Sequence, residues 1–171
     1  MRNRRDFLTG AGSVAIALAA VGWTRPAWPQ ACSICKTTSL LLPLSGALFL
    51  PPNPCVPAGE NVSIAGDVHV VTKVRSNQLF DAYLNMAGVD GMGQTSGSLY
   101  IGTGSNKFIG VQWPPDPITP ATIVAIFSLE ATNGCASVGL PVTFHLLFGS
   151  DGALLVDSTM SVGGCFPPEC S

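Results

Sequence analysis

Charge is what this 171-residue sequence has least of: Asp, Glu, Lys and Arg together make up 11% of it, less than half the roughly 25% usual in soluble proteins. Positive charge is scarcer still beyond the N-terminal stretch. Four of the eight basic residues, Arg2, Arg4, Arg5 and Arg25, precede residue 26, whereas only Asp6 of the ten acids does, leaving four positive against nine negative charges and a net −5 for the remainder. Such a surface repels a phosphate backbone, and no basic cluster interleaved with aromatics is left to overcome that, so nucleic acid is excluded as an expected partner. Amphipathic helical periodicity is also missing after residue 31, which argues against a helical body.

What the sequence does have is apolar residues at 47%, with 19 Gly, 14 Pro and six Cys. A chain of this length supports one core rather than two. Abundant Gly and Pro mean many turns, and many turns suit many short strands.

The clearest strand signal runs from Val62 to Val74. Val62, Ile64, Val68, Val70 and Val74 alternate with Asn61, Ser63, Asp67, His69, Lys73 and Arg75, a period of two that buries one face of a strand. Ser76 and Asn77 interrupt it, and Phe80, Ala82, Leu84 and Met86 resume the alternation, which predicts a β-hairpin. Gly88 to Gly97 reads as a glycine-punctuated connection whose glycines supply positive φ at a tight crossing. Leu99–Thr103 and Phe108–Trp113 are further strands, separated by a turn at Gly104–Asn106, and Pro114–Pro120 is a surface connection. Thr122–Leu129 is apolar on both sides, as expected of a doubly covered strand. Val142–Phe148 and Leu154–Met160 form a second hairpin around Gly149–Gly152. The Ser39–Leu50 run is broken by Pro43 and Gly46 and is expected as two short pieces or a segment covering the core.

The N-terminal residues read as an address. Arg4-Arg5-Asp6-Phe7-Leu8, a weakly apolar stretch to Gly22, then Arg25, Pro26 and Pro29, resemble a bacterial twin-arginine export signal. The resemblance implies the twin-arginine machinery as partner, a periplasmic or secreted location, and cleavage after Ala31. The apolar run is shorter than the roughly 20 residues a membrane span needs, so no stable span is expected after cleavage. Cys32 would become the first residue; Pro29 stands where a lipobox needs an aliphatic residue, against lipidation.

All six cysteines, Cys32, Cys35, Cys55, Cys135, Cys165 and Cys170, follow that segment. An even number in an oxidising compartment points to disulfides tying down both tails, and 15 pairings are open. The alternative is a four-thiolate metal site from Cys32, Cys35, Cys165 and Cys170. No βαβ pattern surrounds the Cys32–Cys35 pair to suggest redox catalysis.

Other chemistry is thin. Gly88–Thr95 outlines a phosphate loop, but Gln94 replaces its lysine and no helix follows. The dinucleotide pattern fails at Gly97, and the nucleophile elbow is absent. His69 and His145 are the two imidazoles; on neighbouring strands they would make a metal site with Asp67 or Asp81. No cofactor and no catalytic residue is assigned.

The run Gly66-Asp67-Val68-His69-Val70-Val71, continuing through Asn85, Gly88-Val89 and Gly91-Met92-Gly93-Gln94-Thr95-Ser96-Gly97 to Tyr100, resembles a pattern in small exported bacterial β-proteins that carry no assigned activity, and implies no catalytic residue. The expectation is an all-β protein: a signal helix over 1–31, a Cys/Pro-rich segment over 32–60 covering the core, and an antiparallel two-sheet β-sandwich of about seven strands over 61–171, with a partly open barrel as alternative. Its expected role is a disulfide-stabilised structural or interaction module, the alternatives being a metal-binding protein or an extracytoplasmic hydrolase.

Overall fold

The computed structural model describes residues 36–75, 78–112, 118–134 and 137–163, all within one compact unit, Ala31–Ser171. The two clearest alternating runs, Val62–Val74 and Phe80–Met86, lie within strands. In β2 (Glu60–Val74), Glu60, Val62, Ile64, Val68, Val70, Thr72 and Val74 are buried while Asn61, Ser63, Ala65 and Asp67 are exposed. Each fully buried Val or Leu on such a face contributes about 1.5–3 kcal/mol.

β1 (Lys36–Leu50) pairs antiparallel with β2 in unbroken register from Lys36↔Val74 to Leu50↔Glu60. The expected interruption does not occur. Among the described strands β1 has no second hydrogen-bonded neighbour, so Pro43 is accommodated as an edge-strand proline. Gly46 faces Val162, whose side chain would lie 2.8 Å from any added Cβ.

The other side of β2 is shared. β3 (Leu79–Met86) covers Val68–Val74, and β4 (Asp90–Gly93) covers Val62–Ala65. Between them the chain crosses at Gly66, where Ala87 N–H donates to the Asp67 carbonyl at 3.1 Å. Gly66 has φ 144°, and a Cβ there would collide with the Gly88 carbonyl and lie 2.6 Å from Val89 Cα. Only glycine lets the two backbones approach this closely.

From this crossing the sheet forks into two limbs. β3 leads to β6 (Ser105–Gln112), and β4 leads through β5 (Leu99–Thr103), β7 (Ala121–Ala131) and β8 (Ser137–Leu146) to β9 (Thr159–Val162). All strand pairings are antiparallel, and the nine described strands form one network that does not close. Leucine, valine and phenylalanine side chains of both limbs share one core. Phe80 of β3 meets Phe148, beyond β8, with ring centroids 4.8 Å apart, and Phe127 meets Phe144 at 6.3 Å. Asn106 of β6 donates to the Ile126 carbonyl of β7 at 2.7 Å, so the limbs touch without pairing as strands.

Several expectations need correction. Nine strands among the described residues replace about seven. Gly88 and Gly97 have positive φ, 110° and 67°, as expected, but the segment between them contains a strand, β4, whose Gly91 and Gly93 make room for Val62, Tyr100 and the Glu60 carboxylate instead. β5 and β6, separated at Gly104 as expected, do not pair with each other; β5 pairs with β4 and β7, and β6 with β3. β7 is covered on one face: Ile123, Ala125 and Phe127 are buried, but Ile126 is 51% exposed. The second hairpin joins β8 to β9, with Phe148↔Leu154 as an isolated bridge between them. The expected signal helix lies outside the described residues.

Candidate functional site

Register decides which side chains share the outer face of the β1–β2–β3–β6 limb. One row runs Leu41, His69, Asn85, Ser105; the next runs Ser39, Val71, Tyr83, Lys107; a third begins Thr37, Lys73, Asp81. Residues two apart on one strand point to the same side, so these rows form a continuous patch. A groove of about 290 Å³ opens in it, lined by His69, Val71, Tyr83, Asn85, Ser105 and Lys107 together with Leu84 and Asn106.

The cations of this face are placed unusually. Beyond Arg25 the chain has four, Lys36, Lys73, Arg75 and Lys107. Lys36 pairs with Asp151 at 2.9 Å and Arg75 with Asp81 at 2.6 Å. Lys73 and Lys107 form no ion pair among the described residues and converge instead on one ring, their Nζ atoms 5.0 and 5.4 Å from the Tyr83 centroid. Each such contact contributes about 0.5–1 kcal/mol at an exposed site. Asp81, the nearest acid in register with Lys73, is 4% exposed and committed: its oxygens accept from Arg75 and from the Gly110 N–H at 2.9 Å. The β-bulge opposite Asp81 aims that N–H, since Phe80 pairs with Val111 and Ala82 with Phe108. Burial raises the Asp81 pKa, but these hydrogen bonds and the nearby Arg75 and Lys107 charges outweigh it and hold it below the usual 3.8.

At the other end of the groove His69 Nε2 lies 2.7 Å from Ser39 Oγ. A serine beside an imidazole is the start of a nucleophile–base pair. Among the described residues no carboxylate contacts the His69 ring to orient it. His145 pairs with Thr122, its Nδ1 3.1 Å from Thr122 Oγ1. β4, β5 and β7 stand between β2 and β8 in the sheet, so the two histidines are not on neighbouring strands. Asp67 is exposed, and Asp81 is occupied as described. Among the described residues no three His, Cys, Asp or Glu side chains gather as a metal site.

A second polar cluster, unforeseen from the sequence, is internal. Glu60 is 2% exposed, and its carboxylate accepts from Ser96 N–H at 2.9 Å, Thr95 N–H at 3.2 Å, Ser96 Oγ at 2.8 Å and Tyr100 Oη at 2.9 Å. Burial raises its pKa, yet these four donors together bring it below its ordinary 4.5. Tyr100 is pushed up to about 12 by burial first, then by donating to Glu60 and by its charge. With every donor aimed at the carboxylate, the cluster pins the 94–98 turn to the start of β2 and leaves no lone pair directed at solvent for chemistry.

Of the expected site residues, Arg4, Arg5, Phe7, Leu8, Ala31, Cys32, Cys35, Cys135, Cys165 and Cys170 lie outside the described residues. Cys55 sits in the Asn53–Val56 turn, its N–H held by Asn53 Oδ1 at 3.0 Å, and is not a free thiol. No helix among the described residues is long and apolar enough to cross a membrane. No protein-family model matches the chain, and comparison with curated proteins and with solved structures finds no match for it.

Proposed function

We propose that this chain is exported by the twin-arginine machinery, loses residues 1–31, and acts in the periplasm or outside the cell as a disulfide-stabilised interaction module of β-sandwich form. The observation that carries the binding role is the outer face of the β1–β2–β3–β6 limb. It collects His69, Tyr83, Asn85 and Lys107 around a groove, with Lys73 over the same Tyr83 ring, whereas the buried acids Glu60 and Asp81 are consumed by the fold. The sandwich form is supported by aromatic contact between limbs that are not strand neighbours. Disulfide stabilisation is supported by six cysteines after the export motif and by Cys55 not being a free thiol.

Cell fractionation tests the export reading. Wild-type protein should appear outside the cytoplasm, and Arg4→Lys/Arg5→Lys should leave a full-length precursor inside; equal distribution of the two would reject it. The Ser39–His69 contact favours one second reading, a hydrolase. Saturable hydrolysis of a p-nitrophenyl ester, abolished by Ser39→Ala, would replace the binding reading with that one.

A further inference from the structure

The groove beside Tyr83 has a directional charge. Lys73 and Lys107 both place their ammonium groups over the ring that forms its wall, each within 5.4 Å of one centroid, so the two are at most about 10 Å apart. That is comparable to the Debye length of roughly 8–10 Å at physiological salt, and the like charges repel. In a chain this poor in cations, register across three strands brings together the two that lack an ion-pair partner among the described residues. Asp81 tempers this charge from below, but both its oxygens already accept hydrogen bonds. Asp67, exposed on the same face of β2 two residues before His69, carries negative charge at the opposite end.

Between these poles the groove offers hydrogen-bonding groups. His69, Asn85 and Ser105 lie in one row across the strands, with Val71 and Tyr83 as apolar wall. Asn106 adds less, because its amide is given to the Ile126 carbonyl. A volume of about 290 Å³ lies at the small end of the roughly 300–1,000 Å³ of ligand sites. It suits one ring, not a stretch of polymer.

We propose that this groove binds a small ring-bodied organic anion, an acidic or phosphorylated monosaccharide, with its anionic group between Lys73 and Lys107 and its hydroxyls facing Asn85, Ser105 and His69. The anion relieves the repulsion between the two ammonium groups, and Asp67 disfavours the reversed orientation. The inference deepens the interaction-module reading and names its ligand class; it shares no step with the fractionation test, so either can fail alone.

Calorimetric titration of the purified protein, in low salt, tests it with four probes: glucuronate, glucose 6-phosphate, glucose and inorganic phosphate. One or both of the first two should bind with a single site per chain, at least about tenfold tighter than glucose or phosphate. Lys73→Gln/Lys107→Gln, at side chains outside the core, should weaken that binding at least about tenfold, and added salt should weaken it in wild type. Asn85→Ala should weaken the sugar anions and leave phosphate unchanged, which separates ring recognition from bare charge. No binding of either sugar anion up to about 10 mM, phosphate binding as tightly as they do, or affinity unchanged in the double lysine variant would overturn the proposal.

Discussion

Replacing Glu60 tests the internal cluster with a magnitude that can be worked from its contacts. Glu60→Ala would orphan two backbone N–H groups and two hydroxyls. The Tyr100 hydroxyl is buried while Thr95 and Ser96 are exposed residues, so at about 1–3 kcal/mol for a buried unpaired donor and less for those water can reach, the cost is about 2–4 kcal/mol, a large part of the roughly 5–15 kcal/mol that holds a domain folded. Glu60→Gln is the better probe. Its amide oxygen can keep the two N–H bonds, and its NH2 can donate to the hydroxyl oxygens of Ser96 and Tyr100, so four charge-assisted bonds become neutral ones. The expected loss is about 1–2 kcal/mol, less than the summed weakening because an amide is easier to bury than a carboxylate. Sign follows from the lowered pKa: the carboxylate stabilises the fold fully above its unfolded value of 4.5, and that stability is lost as pH falls through the lower folded value. Urea denaturation of wild type and Glu60→Gln at a series of pH values therefore gives a stability gap that is constant above about pH 5 and closes below it. The other acids titrate in both proteins, so the gap isolates Glu60. A gap that is absent at neutral pH, or that persists undiminished in acid, would refute the reasoning.

Gly66→Ala places a methyl group against the Gly88–Val89 backbone and should cost about 3 kcal/mol or more, whereas Gly88→Ala, at φ 110° with open space around it, should cost only about 1–2 kcal/mol of backbone strain; thermal melts that rank them in the reverse order would count against the fork at Gly66. Arg75→Ala leaves the Asp81 carboxylate with the Gly110 N–H and should lose about 2 kcal/mol by urea denaturation, discounted because the arginine is 39% exposed; adding Asp81→Asn should recover part of it. Tyr100, raised to about 12, holds its proton in the fold, so its contribution is fully present below pH 10 and lost as pH rises through about 12. Tyr100→Phe should lack that alkaline decline, and identical high-pH profiles for the two proteins would exclude the assigned hydrogen bond.

Much of the fold was legible wherever a strand keeps one wet face. Val62 to Val74 and Phe80 to Met86 bury the set their alternation assigns, because solvent on one side writes period two into the sequence. The reading failed where partners decide. Pro43 and Gly46 look like breaks until β2 supplies fifteen residues of pairing on one side and Val162 packs over Gly46. Gly91 and Gly93 look like a loop because their purpose, space for Val62 and Glu60, lies in other strands. The turn at Gly104 between two strands was legible, but that it passes the chain from one limb to the other was not, because the partners of β5 and β6 lie elsewhere in the chain.

The candidate site was less legible still. His69 could be singled out as one of two histidines, but Ser39 beside it and the meeting of Lys73 with Lys107 over Tyr83 depend on register across β1, β2, β3 and β6. Glu60 gave no signal at all. An acid at the start of a strand reads as solvated until Ser96 and Tyr100, far along the chain, fold over it.

Intact mass of the protein recovered from outside the cytoplasm, before and after reduction, tests the central claim of an exported, cross-linked module most directly. The account predicts a chain beginning at Cys32 whose mass rises by about six hydrogens on reduction. A chain that retains residues 1–31, or a mass unchanged by reductant, would contradict it.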